Sequence, residues 1–147
     1  HADDDGFYDS QKAGYAEQGP SLRARFVTGE DGRFAFRSIL PCSYPIPIDG
    51  TVGKLIKAQG RRHYRPAHLH ALIYKEGFKT LISQVYFDDD PRIETDAQFG
   101  VTRALIGDFR RRTDKAPADD VKGEWISLDY AFKMEKGEAV LPRPPIK

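Results

Sequence analysis

With 147 residues, 39% of them hydrophobic and 12% aromatic, the chain can bury one ordinary core, so a single domain over 1–147 is expected. Lys and Arg total 23 against 22 for Asp and Glu, a near balance that removes the electrostatic case for a nucleic acid or anionic membrane partner. The lone cysteine, Cys42, excludes an internal disulfide and a cysteine-rich zinc framework.

Residues His1 to Asp5 are acidic, unlike the basic-then-apolar opening of a signal peptide. No apolar run approaches the roughly twenty residues of a membrane span, so a cytoplasmic protein is expected. Because the chain starts at His1 rather than Met, something upstream is expected to have been removed or to lie outside this sequence. From Arg23 to Ile39, runs containing Phe26, Val27, Phe34 and Phe36 flank Gly29-Glu30-Asp31-Gly32, the pattern of a β-hairpin. Pro41, Pro45, Pro47 and Pro66 interrupt the next stretch, so Pro41 to Arg65 reads as an irregular excursion. Within it, Val52 to Gln59, ended by Gly60, fits a helix of about two turns.

His68 to Tyr74 and Thr80 to Phe87, separated by Lys75-Glu76-Gly77, read as a second hairpin. Ile126, Leu128, Tyr130, Phe132 and Met134 alternate with Ser127, Asp129, Ala131 and Lys133, which predicts a long closing strand with one face on a core. The tail Leu141 to Lys147, with three prolines, is expected to be extended. Strands therefore dominate, and the expected class is all-β with at most short helices. Three charge runs, Asp3 to Asp5, Asp88 to Asp90 and Arg110 to Arg112, read as solvated loops.

His68 and His70 lie two apart in a strand-like run, so their imidazoles share one face and can reach one metal ion. Taken alone, the pair fits a surface or structural role as readily as a metal site. The four histidines stand at 1, 63, 68 and 70, so neither a structural zinc site nor a His-rich iron site finds its remaining ligands. By themselves Tyr8 and Tyr44 read as loop aromatics, Arg65 as a surface arginine with an acidic neighbour, and Gln84 as a solvent-facing strand position. Ile46 and Pro47 read as core packing. Cys42 has no paired base and reads as a small buried residue.

The run His63-Tyr64-Arg65-Pro66-Ala67-His68-Leu69-His70 resembles the R-P-A-H-x-H signature of the intradiol ring-cleaving dioxygenases. Pro41 to Gly53 and Asp5 to Gln11 are similar to that family's two tyrosine segments. Gly77 to Gln84 and Asp96 to Val101 continue the likeness, which covers nearly the whole chain. The resemblance implies a β-sandwich catalytic domain with long loops, and a non-haem Fe(III) held by Tyr8, Tyr44, His68 and His70. A hard trivalent cation suits that set, because two phenolates and a hydroxide neutralise it while two imidazoles complete the shell.

The likeness also places Arg65 and Gln84 beside the bound substrate, Arg65 as a fixed charge facing developing negative charge. Ile46, Pro47 and Gln98 would line the ring. Tyr44 would leave the metal when the diol binds and then act as a base. The partners implied are an aromatic ortho-diol and O2, with no organic cofactor. The forms around Tyr8 and Tyr44 are closer to enzymes of benzene-1,2,4-triol (hydroxyquinol) than to those of catechol, which stands as the alternative substrate. A different class, a non-catalytic transthyretin-like or carbohydrate-binding β-sandwich, is the rival. Thr51, Ala71 and Gln98 depart from the family's usual residues and bear on ring specificity. The family's N-terminal helical domain and the opening strand are expected to be missing, and a homodimer is expected only where that domain is present.

Overall fold

The computed structural model describes residues 1–140, which carry short strands, short helices and long connections, an all-β class as expected. The centre is the predicted second hairpin, β3 (His68–Ile73) and β4 (Leu81–Phe87), paired antiparallel from His68↔Tyr86 to Ile73↔Leu81. Its turn closes with the Phe78 N–H on the Lys75 carbonyl at 3.1 Å, and Gly77 takes the positive φ of 80° that the turn requires. A two-residue strand, β5 (Ile106–Gly107), joins β4 in parallel. β6 (Phe109–Arg112) and β7 (Trp125–Leu128) form a separate antiparallel pair.

The two groups of strands meet at Gly107. A Cβ there would lie 2.8 Å from both Val85 Cγ1 and Leu128 Cδ1 and 3.0 Å from Phe109 Cε2, so the close approach depends on a missing side chain. Phe87 and Phe109 pack edge to face beside it at 4.9 Å. Val85 and Tyr86 are buried here, and Ala2, Ile56, Ala67 and Ala97 are further buried apolar side chains.

The stretch from Pro41 to Arg65 is more regular than expected. β1 (Tyr44–Pro45) and β2 (Tyr64–Arg65) pair antiparallel across it, and the Ile46 N–H extends the ladder to the His63 carbonyl at 2.8 Å. Its helix, α2 (Thr51–Ala58), falls within a residue of the predicted one and is followed by Gly60 at φ 61°. A shorter helix, α1 (Tyr15–Gln18), had no clear signal.

Other expectations are corrected. Between Arg23 and Ile39 only the turn forms, with Gly32 N–H on the Gly29 carbonyl and Gly29 N–H on the Arg33 carbonyl. Phe26, Phe34 and Phe36 stack there with centroids 5.1–6.4 Å apart, yet remain 44–47% exposed. Among the described residues no strand covers them, and a lone two-stranded ribbon is marginal in water. The closing strand stops at Leu128 because its partner begins at Phe109, the last residue that pairs with it. Asp129 to Met134 form no ladder, and Tyr130 instead donates to the Ala104 carbonyl at 2.6 Å. The predicted extended tail, 141–147, lies outside the described residues. Of the charge runs read as solvated loops, Arg110 to Arg112 belong to β6, and Asp3 and Asp90 are buried. Each of those carboxylates caps backbone N–H groups that would otherwise lack partners.

Candidate metal centre

The site is built where β2 turns into β3. Ala67 is held from both sides, its N–H by Asp90 Oδ2 at 2.8 Å and its carbonyl by the Phe87 N–H at 2.9 Å. His68, 1% exposed, comes next. Its Nδ1 lies 2.6 Å from the Pro66 carbonyl, which can only accept, so Nδ1 carries the proton and Nε2 presents its lone pair. The period-two geometry of β3 puts His70 on the same face, with the two Nε2 atoms 3.1 Å apart. His70 is exposed.

Tyr44 pairs with Arg65 in the β1–β2 ladder, which carries its hydroxyl to 3.3 Å from His68 Nε2. Tyr8 arrives from the N-terminal stretch. Its backbone is fixed by Gln11, whose side chain accepts the Tyr8 N–H at 2.8 Å and whose N–H donates to the Tyr8 carbonyl at 2.9 Å. Next to it Asp9 is tied to the Arg23 guanidinium and the Ser21 N–H. Gly6, at φ 86°, lets the chain pass Tyr44 where a Cβ would lie 3.0 Å from the Tyr44 Cβ. The Tyr8 hydroxyl donates to that of Tyr44 at 3.1 Å, with the rings perpendicular.

Tyr8 Oη, Tyr44 Oη, His68 Nε2 and His70 Nε2 thus form a run with steps of 3.1, 3.3 and 3.1 Å. Donors about 2 Å from a common ion stand roughly 3 Å apart, the separation that each adjacent pair in this run has. Two oxygens that become anionic and two imidazoles are a hard-to-borderline set suited to Fe(III). Burial, then the hydrogen bond with Tyr44, pushes the Tyr8 phenol far above its ordinary value, so only a strong cation would make it a phenolate. Burial pulls His68 down to about 4, with the Arg65 charge acting the same way. His70, whose side chain packs against Tyr8 and His68 though the residue as a whole is exposed, is lowered by partial desolvation of its ring and then by Arg65. Both rings are therefore neutral near pH 7, the form that ligates.

Arg65 is not the surface arginine its type suggests, being 2% exposed. Its Nε and Nη2 face Asp96 at 3.1 and 3.2 Å, Nη2 also reaches Tyr86 Oη at 2.6 Å and Gln84 Oε1 at 3.0 Å, and Nη1 lies 3.2 Å from His68 Nε2. Gln84 completes the ring of contacts with its Nε2 3.3 Å from His70 Nδ1. Burial works to raise Asp96, but hydrogen bonds from Arg65 and the Gln98 and Gly100 N–H groups hold it below the usual carboxylate range.

Tyr86 and Asp96 are the functional side chains that the sequence reading missed. Tyr86 was legible in principle, since it comes two residues after Gln84 and so shares its face of β4. The remaining expected residues lie further out. Ile46 is half-buried and Pro47 exposed. Gln98 meets the cluster only through its N–H on Asp96 at 3.2 Å, its side chain being exposed. A cleft of about 600 Å³ beside Arg61, Ile93 and Phe99 touches the cluster only at Asp96. Cys42, half-buried, donates to the Asp3 carbonyl, and burial raises its thiol pKa, which leaves it a poor nucleophile.

Residues 1–135 match the family Dioxygenase_C, described as dioxygenase, and the chain belongs to that family as an intradiol dioxygenase catalytic domain. It is 46% identical over 138 residues to the hydroxyquinol 1,2-dioxygenase of Rhizobium sp. strain MTP-10005, covering 92% of this chain and 46% of that protein. The hydroxyquinol 1,2-dioxygenase of Nocardioides simplex is 39% identical over 132 residues, 88% of this chain and 44% of that one. Among solved structures, hydroxyquinol 1,2-dioxygenase from Pseudomonas putida DLL-E4 superposes with a TM-score of 0.79 at 34% identity, over 93% of this chain and 48% of that one. Catechol 1,2-dioxygenase from Pseudomonas arvilla C-1 gives 0.81 at 31% identity, over 98% and 48%. The fold is accordingly the β-sandwich of the intradiol type, and the chain spans about half the length of the relatives it matches.

Proposed function

We propose that this chain is the catalytic domain, one unit over 1–147, of a non-haem Fe(III) dioxygenase. It would open an aromatic ortho-diol with O2 between its two hydroxylated carbons. The observation that carries this reading is the convergence of two phenol oxygens and two imidazole nitrogens in steps of 3.1–3.3 Å. Tyr8, Tyr44, His68 and His70 would hold the metal. Ferric iron, when bound, supplies Lewis acidity and draws electron density from a chelated diol, so that the ring can react directly with O2.

The chain's own groups divide the remaining work. Tyr44 Oη, next to both Tyr8 Oη and His68 Nε2, would take a proton from an incoming diol. Arg65 keeps a fixed positive charge within 3.2 Å of the donor cluster, where negative charge on the ring would develop. Gln84 holds Arg65 on one side and His70 on the other. Ile46 and Pro47 offer the apolar surface against which a ring leaves water, and Gln98 borders the substrate.

Hydroxyquinol is the proposed substrate, supported by relatives of that name, with catechol as the alternative. Family membership decides against the binding-module reading. No helix among the described residues is long and apolar enough to cross a membrane. A cytoplasmic setting is proposed, in keeping with the lone unpaired cysteine, and a homodimer is proposed only for a longer protein carrying the helical domain. Metal analysis with a visible spectrum tests the centre: ferric tyrosinate is strongly coloured, and a colourless chain that refuses ferric ion would overturn it. Oxygen uptake with hydroxyquinol, catechol and protocatechuate tests the substrate, and catechol clearly ahead would reverse the choice.

A further inference from the structure

The Arg65 guanidinium is buried in an unusual way for a group meant to meet a substrate. It forms an ion pair with Asp96 in which both side chains are only 3% exposed. Asp96 takes Nε and Nη2 together, and Tyr86 and Gln84 share Nη2. Nη1 is the nitrogen that remains on the His68 side. A guanidinium is planar, so fixing one edge fixes the direction of the other.

The carboxylate is itself held. Asp96 Oδ1 accepts the Gln98 N–H at 3.2 Å and Oδ2 the Gly100 N–H at 2.8 Å, so the loop wraps around it. Two features show what the loop gives up to do this. Phe99 sits at φ 55° with its ring 77% exposed, a left-handed conformation that a bulky residue adopts only under constraint. Gly100 has an ordinary φ, yet a Cβ there would come within 2.6 Å of Tyr86 Oη and 3.2 Å of both Arg65 Nη2 and Asp96 Oδ2. A side chain there would collide with the Tyr86 hydroxyl that Arg65 Nη2 holds and would press on the ion pair behind it.

We propose that Asp96 is a positioning residue for the ring-opening reaction: its carboxylate, seated in the Gln98–Gly100 loop, locks Arg65 so that Nη1 faces the donor cluster. The Asp96 carboxylate bonds to Arg65, Gln98 and Gly100 and to none of the four donors, so it acts through Arg65. Preorganised charge of this kind lowers a barrier because no reorientation remains to be done at the moment of reaction. This inference rests on the functional reading above, and the test separates the two.

In the metal-free full chain, the Arg65 Nε–H is followed by 15N–1H NMR and identified by its loss in Arg65→Lys. It is expected to exchange slowly with water, and roughly tenfold or more faster in Asp96→Ala and in Gly100→Ala. In the ferric-loaded chain both variants are expected to keep the wild-type iron content and visible band. Their kcat falls roughly tenfold or more while KM stays within about threefold. Asp96→Glu restores part of the loss, and Asp96→Ala adds nothing in an Arg65→Ala background. Unchanged Nε–H exchange, or loss of iron and colour in step with kcat, would overturn the proposal. If Asp96→Ala does not fold, Gly100→Ala, which keeps the carboxylate but crowds the Tyr86 hydroxyl and the Arg65–Asp96 pair beside it, decides on the same readings. A wild-type chain that binds no ferric ion sinks the functional reading, while the exchange measurement still decides on the clamp.

Discussion

Burial makes His68 a base only in acid. Its folded value is about 4, while an unfolded histidine titrates near 6.5. As pH falls through about 6.5 the unfolded chain takes up a proton that the folded chain refuses until about 4, so stability drains away across that window. Denaturant unfolding of the metal-free chain is expected to show a loss of a few kcal/mol between those limits and a plateau above. A flat profile would contradict the burial of this ring. Tyr8→Phe should behave differently: the phenol is half-buried and donates a single hydrogen bond, so metal-free stability should change by about 1 kcal/mol or less. Ferric uptake, measured by dialysis and metal analysis, should fall tenfold or more, roughly. At this scale the imidazole pair was legible from spacing, and the two tyrosines and Arg65 only from the motifs around them. Asp96 was not legible as the partner of Arg65, because 31 residues separate the two and an aspartate in a loop ordinarily reads as solvated.

Between elements, the tightest dependence is at β5. Gly107→Ala would push a methyl group into Val85, Leu128 and Phe109 at 2.8–3.0 Å, an overpacking cost of about 1–3 kcal/mol. A lower melting temperature with the far-ultraviolet dichroism unchanged is the expected result. The β3–β4 hairpin was legible because two apolar, partly β-branched runs of similar length flank a glycine turn. The Arg23–Ile39 hairpin, read from apolar runs around a glycine turn, and the strand beyond Leu128, read from alternation, did not form ladders. Alternation reports only that one face is apolar, and pairing also needs a neighbour in register, which β6 ceases to supply at Phe109. The β5 pairing left no trace in the sequence, since two residues carry no period.

The whole molecule exposes 11484 Å², whereas a compact monomer of 16.6 kDa exposes roughly 7,600 Å². Part of the excess is apolar: Val27, Phe36, Val52, Leu55, Leu72 and Ile82 are between 47% and 90% exposed. Small-angle scattering is expected to give a radius of gyration above the roughly 15 Å of a compact chain this long. Hydrophobic dyes should bind strongly in the native state. A compact value with no dye binding would show that this surface is covered in solution. That so much apolar surface stays open was not legible residue by residue, because each position matches a strand or helix face that another element would ordinarily cover.

The four donors are spread unevenly along the chain. Tyr8 is 36 residues from Tyr44, which is 24 from His68, and the stretch between Tyr8 and Tyr44 carries no strand. A ferric ion shared by all four would therefore staple a long, weakly laddered segment to the central hairpin, closing two loops at once. Protease should cut between Arg23 and Arg37 readily without iron and slowly with it, so resistance to digestion would report metal loading without any substrate being added.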